Sequence, residues 1–121
     1  MTVKECYRIM GADYEDVLQR LLDDKRIKKY LGKLLDSNEL QQFEDCLVME
    51  NYEEAFRHMH NIKGLSLNMG LSPLHKSSDI LCEALRGGKP AVDVEPLLQD
   101  VKKDYETIAA AIQELLNHPE I

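Results

Sequence analysis

Residues 55–70 read AFRHMHNIKGLSLNMG, a stretch in which apolar and small side chains recur about every 3.5 residues. The residues on this stripe are Ala55, Met59, Ile62, Ser66 and Met69. Such spacing is typical of a helix that packs lengthwise against the other helices of a bundle. We therefore predict a bundle helix from Tyr52 to Asn68, with Gly70 positioned to end it.

The same periodicity continues on both sides of that helix. Upstream it predicts two short helices, the first capped by Asp13, and then a third helix around Phe43. Downstream, Ser72 as N-cap followed by Pro73 predicts a helix of about four turns that a glycine pair ends. Asp93 is then placed to cap a last, long helix.

The composition agrees with a helical fold. The chain has 121 residues with few glycines and prolines, and Leu, Ala, Lys and Glu are abundant. We predict an all-α fold, an up-down four-helix bundle with short additional helices at its N-terminal end. Residues 1–121 should form a single domain, in which 1–24 are an N-terminal extension or cap helix and 25–117 are the bundle.

Charge and cysteine content restrict the function. Fifteen Lys and Arg against 22 Asp and Glu give a formal net charge of −7, which argues against nucleic acid as a partner. A local basic patch around Arg57 and Lys63 stays open. Three widely spaced cysteines form neither a zinc nor a disulfide pattern, and we expect a cytoplasmic protein. Without a signal peptide or a run of about 18 apolar residues, no membrane association is expected.

A short motif lies within the predicted central helix. His60, Lys63, Gly64 and Gly70 follow the pattern H-x-x-K-G with a further glycine six residues later, and Arg57 stands one turn before the histidine. This motif resembles the signature of histidine-containing phosphotransfer (HPt) domains. The helix order around it also matches that family, so the resemblance covers most of residues 25–117.

The residues themselves support a reactive histidine. Positions three and four apart are neighbours on a helix, which places Arg57, His60, Lys63 and Gly64 on one face. Imidazole is a competent nucleophile near neutral pH, and a phosphoryl group on it would be screened by Lys63 and Arg57. Gly64 would leave a notch through which a partner can approach His60, although glycine costs about 1 kcal/mol of helix stability.

The resemblance implies a phosphoryl carrier, not an enzyme. The family obtains its magnesium and its phosphoryl-bearing aspartate from receiver domains, so we expect no cofactor or metal on this chain. The implied partners are response-regulator receiver domains and a hybrid or chemotaxis-type histidine kinase. A transfer domain that presents one histidine face can act as a monomer, which is the state we expect.

Two other functions stay open. The chain could be the phosphoacceptor domain of a chemotaxis-type histidine kinase, although nothing in it resembles a nucleotide site. It could also be a helical interaction module that is not phosphorylated. In the carrier that the resemblance implies, receiver domains would dock on an apolar patch around His60, for which Leu67 and Leu71 would be suitable if they are exposed near Gly64.

Ordinary structural roles for single residues also stay open. Arg57 could simply pair with Glu53 or Glu54 on the helix surface. His58 and His60 point in nearly opposite directions on a helix and cannot chelate one metal ion, so we expect His58 at a surface or half-buried position.

Overall fold

The structure, a computed structural model, describes residues 1–118. Within those residues it contains seven helices and no strand. The helices are α1 (Val3–Met10), α2 (Tyr14–Leu21), α3 (Asp24–Leu35), α4 (Glu39–Val48), α5 (Tyr52–Asn68), α6 (Ser72–Ala84) and α7 (Glu95–Asn117). The predicted all-α class is confirmed. The predicted end of the domain falls on residues 119–121, which lie outside the described residues.

Helices α4 to α7 form the bundle. Helix α5 lies between α4 and α6, and α6 packs in turn against α7. Three-residue connections join α4 to α5 and α5 to α6, so consecutive helices run antiparallel. The stripe that the sequence predicts on α5 forms part of the core, where each of its five side chains is at most 5% exposed.

The first 24 residues, expected as an N-terminal extension or cap helix, hold two complete helices, α1 and α2. Helix α1 packs against α7 and α3. Helix α1 buries four side chains at positions i, i+3, i+4 and i+7, namely Val3, Cys6, Tyr7 and Met10. The buried hydroxyl of Tyr7 donates a hydrogen bond to the Met69 carbonyl at 2.8 Å. Helix α1 is thereby fixed to the end of α5.

One predicted helix cap is wrong and another is shifted. Ser72 is the first residue of α6, and the N-cap is Leu71, whose carbonyl accepts a hydrogen bond from the His75 N–H at 2.9 Å. The turn that ends α5 places Leu71 at the N-cap position, so the Ser72 side chain does not cap the helix. Asp93 does accept a hydrogen bond from the Glu95 N–H at 3.0 Å, although the N-cap residue of α7 is Val94.

Gly70 ends α5 in a conformation that requires glycine. Its φ is +66°, and its N–H donates to the Leu67 carbonyl while the Leu71 N–H donates to the Ser66 carbonyl. A Cβ on Gly70 would lie 2.7 Å from the backbone oxygen of Asp13, whose own N–H donates to the Gly70 carbonyl at 2.8 Å. Gly70 therefore lets the α1–α2 connection approach the end of α5 closely.

Replacing Gly70 with alanine should lower the free energy of unfolding by at least about 2 kcal/mol, because a left-handed alanine costs about 1–2 kcal/mol and the Asp13 oxygen obstructs the new methyl group. Urea denaturation followed by circular dichroism measures this. Gly11→Ala is the matched control, since φ is +64° there but the nearest atom to a Cβ is Pro73 Cγ at 3.8 Å. Equal losses in the two variants would contradict a role for the close approach.

Candidate functional site

Helix α5 packs one face into the core and presents the other face to solvent. At its start the Asn51 side chain accepts a hydrogen bond from the Glu54 N–H at 3.3 Å, which satisfies one free N–H of the first turn. Met59 and Ile62 are buried on the core face. His60 projects from the opposite side, in the middle of the helix, and is exposed. The packed helix therefore holds the His60 backbone in place, while the imidazole is accessible to solvent.

An aromatic stack orients the His60 ring. Its centroid lies 5.9 Å from that of Phe56, one turn earlier, and the two ring planes differ by 19°. The guanidinium of Arg86, which follows α6, lies over the Phe56 ring at 5.2 Å and also pairs with Glu83 at 2.7 Å. A positive charge thus stands beside the ring on which His60 stacks. Sequence reasoning missed Arg86 because it comes from another part of the chain.

Gly64 leaves open space one turn after His60. A Cβ built on it would meet nothing within 4 Å, and its φ lies outside the left-handed region. Glycine inside a helix costs about 1 kcal/mol relative to alanine. Among the described residues, neither a packing contact nor the backbone conformation accounts for a glycine at this position.

Lys63 turns towards α6. Its ammonium Nζ lies 2.8 Å from Oδ1 of Asp79, and the side chains are 25% and 43% exposed. The hydrogen bond between the two groups raises the pKa of Lys63 and lowers the pKa of Asp79. Asp79 therefore competes for the Lys63 ammonium with any anion that forms on His60. The sequence places Lys63 one turn from His60 but does not reveal this partner.

Arg57 takes the surface pairing that the sequence left open. Its guanidinium lies 2.6 Å from Oε2 of Glu54, and its side chain is 60% exposed. This hydrogen bond lowers the pKa of Glu54. Since Glu54 holds Arg57 and Asp79 holds Lys63, each cation of the anticipated local basic patch already has an acidic partner.

His58 is buried, contrary to the expected surface or half-buried position. Only 8% of the residue is exposed, and its Nδ1 lies 2.6 Å from Oε2 of Glu39 on α4. The other oxygen of Glu39 accepts a hydrogen bond from the Asn61 amide at 3.3 Å. Glu39 thus joins α4 to α5 beside His60. A sequence pattern does not show this contact, since it depends on how the two helices pack.

Of the two leucines considered for a docking surface, only one is exposed. Leu67 lies on the His60 side of α5 and is 56% exposed, whereas Leu71 is fully buried. Leu71 therefore does not meet the condition of exposure, because the turn at Gly70 directs the chain back into the core.

Within residues 1–118, no group of three or more His, Cys, Asp or Glu side chains is arranged to hold a metal ion. None of the helices in this part of the chain combines the length and the apolar character that crossing a bilayer requires.

The fold and the site together define the class of protein: a small helical bundle that presents an accessible histidine on the surface of one of its helices. Within that class the chain belongs to the Hpt domain family, whose family model matches residues 12–118. The match includes α2 and so begins earlier than the predicted bundle. No curated protein and no solved structure matches the chain significantly. Hpt domains are phosphoryl carriers of phosphorelays and interact with receiver domains and histidine kinases.

Proposed function

We propose that the protein accepts a phosphoryl group on His60 from the aspartyl phosphate of one receiver domain and passes it to the aspartate of another. The observation that carries the proposal is the open space at Gly64, one turn from an exposed His60. An incoming acidic pocket needs such space, and helix stability disfavours the glycine that provides it. In this proposal the protein acts as a cytoplasmic monomer.

The transfer is balanced within the complex of the two proteins. The lone pair of an unprotonated imidazole nitrogen attacks phosphorus, an N–P bond forms, and the P–O bond to the aspartate breaks so that aspartate leaves as a carboxylate. The receiver domain supplies magnesium and the aspartate. This chain supplies position, through the Phe56 stack, and charge, through Lys63, which a phosphoryl group with nearly two negative charges can draw away from Asp79.

Three phosphoryl donors distinguish this function from its alternatives. The protein is incubated with ATP alone, with a phosphorylated receiver domain, and with the catalytic domain of a histidine kinase plus ATP, and acid-labile phosphate on it is followed. Label from the receiver domain is the expected result. Label only from the kinase domain would identify a phosphoacceptor domain of a chemotaxis-type kinase. Absence of label in all three reactions would leave a pure interaction module.

Lys63→Ala should slow transfer from a phosphorylated receiver about tenfold without abolishing it, less than the loss of a buried oxyanion donor because Lys63 is partly exposed. Single-turnover transfer rates measure the effect. Asp79→Asn is the matched control, since it frees the ammonium and should transfer at least as fast as wild type. Equal slowing in both variants would show that the ion pair itself, and not the Lys63 charge, matters.

A further inference from the structure

Helix α3 concentrates positive charge in a protein that is otherwise acidic. It holds five of the 15 Lys and Arg residues and one of the 22 Asp and Glu residues. The helix therefore carries a charge of +4, while the rest of the chain carries −11. The five cations are Lys25, Arg26, Lys28, Lys29 and Lys33.

Apart from Lys33, which lies in the last turn where the helix dipole favours a cation, these charges do not stabilise α3 itself. Lys29 lies four residues from both Lys25 and Lys33, and like charges at this spacing weaken a helix. Lys25 and Arg26 also lie in the first turn, where the helix dipole disfavours cations. Among the described residues the only salt bridge to a cation of α3 is that of Arg26 with Asp23, at 3.8 Å. Helix stability therefore does not explain the basic surface.

An apolar groove opens beside the C-terminal half of α3. Its volume is about 450 Å³, and α2, α3 and the end of α5 enclose it. Its apolar lining consists of Leu21, Tyr30, Leu34, Leu65 and Met69. Lys33 and Arg20 also line it, and the Lys33 ammonium lies over the Tyr30 ring at 5.1 Å. Arg20 is held by the carbonyls of Leu67 and Asn68, so Lys33 is the more available cation.

The groove lies on a different side of α5 from His60. Leu65 is five residues further along the helix, which places it roughly 140° around the axis. A ligand in the groove would therefore leave the His60 face open. Tyr30 and Leu65 are 42% and 39% exposed, so a ligand in the groove could contact the Tyr30 ring and the Leu65 methyl groups.

We propose that this surface, the α3 groove, binds an acidic segment of a partner protein that carries apolar side chains on one helical face. The apolar side chains would enter the groove, and the carboxylates would meet Lys29 and Lys33. A short segment senses mainly α3, because salt screens charges beyond about 8 Å. A long polyanion or an anionic membrane would also meet the acidic remainder of the chain. The concave groove likewise fits inserted side chains better than a flat bilayer.

A synthetic helical peptide of Glu and Ala with leucines on one face tests the proposal with the full-length, isotope-labelled protein. At an ionic strength of about 0.15 M, where charges are screened beyond about 8 Å, amide shifts on titration should concentrate on α3 and around Leu65. Lys29→Glu with Lys33→Glu should weaken binding about tenfold or more. The matched control is Lys76→Glu with Lys103→Glu, two exposed lysines elsewhere, which should weaken binding less than about threefold.

Three results would overturn the proposal. The first is equal weakening of peptide binding in the two double variants. The second is amide shifts that spread over the whole surface. The third is tighter binding of the protein, through α3, to phosphatidylserine vesicles or duplex DNA than to the peptide. A peptide in which alanine replaces the leucines should bind clearly more weakly, and equal binding would exclude the groove. Circular dichroism verifies that both double variants are folded. The readout is independent of phosphate, so its failure would leave the proposed transfer on His60 untouched.

Discussion

His60→Gln is expected to take up no acid-labile phosphate from a phosphorylated receiver domain under conditions in which the wild-type protein is fully labelled. Glutamine is similar in size to histidine but has no nucleophilic ring nitrogen. His60 is exposed, and its side chain makes no hydrogen bond within the described residues, so the substitution should leave the free energy of unfolding nearly unchanged. Loss of labelling in a folded protein would then report chemistry, not unfolding.

The other accessible histidines provide the controls. His75→Gln and His118→Gln should be labelled at the wild-type rate, because both variants keep the His60 nucleophile and the open space at Gly64. The His75 ring lies 3.4 Å from the Lys63 carbonyl, and His118 lies beyond the last residue of α7. Label retained in His60→Gln but lost in either control would move the phosphoacceptor to another residue. Mass spectrometry of the labelled peptides at neutral pH provides an independent assignment.

Periodic burial was the readily predictable part of the fold. The stripe on α5 is buried as its spacing indicates, because a bundle helix has a single apolar face to cover. Helix α1 carries the same signal in Val3, Cys6, Tyr7 and Met10, so the spacing of its apolar residues is sufficient to predict a helix there.

Contacts between helices were not predictable from spacing. Asp79 meets Lys63, Glu39 meets His58, and Arg86 meets Phe56 only because α4, α5 and α6 pack in one particular register. Sequence periodicity says which face of a helix is buried, but it does not say which residue of a neighbour lies opposite. The partner of Lys63 therefore had to come from the structure, whereas the pairing of Arg57 with Glu54 lies within one helix and is among those that the sequence left open.

Gly64 allows steric access to be separated from stability. Gly64→Gln should retain the fold and raise the free energy of unfolding by up to about 1 kcal/mol, because glutamine is a better helix former and its Cβ meets nothing within 4 Å. Transfer from a phosphorylated receiver should nevertheless fall about 100-fold, since a displacement of the reacting groups by about 1 Å can cost that much. A variant that is more stable yet much slower would be hard to attribute to disruption of the bundle.

Smaller substitutions make the test quantitative. Gly64→Ala adds only a methyl group and should slow transfer less than Gly64→Gln. Gly32→Ala, on α3, is the matched control for helix propensity, because a Cβ there meets only Leu116 Cδ1 at 3.8 Å. It should stabilise the protein and leave transfer unchanged. Stopped-flow transfer rates and urea denaturation of the three variants give both quantities. If Gly64→Gln transferred at the wild-type rate, the open space beside His60 would have no part in docking, and the glycine would have no explanation in this fold.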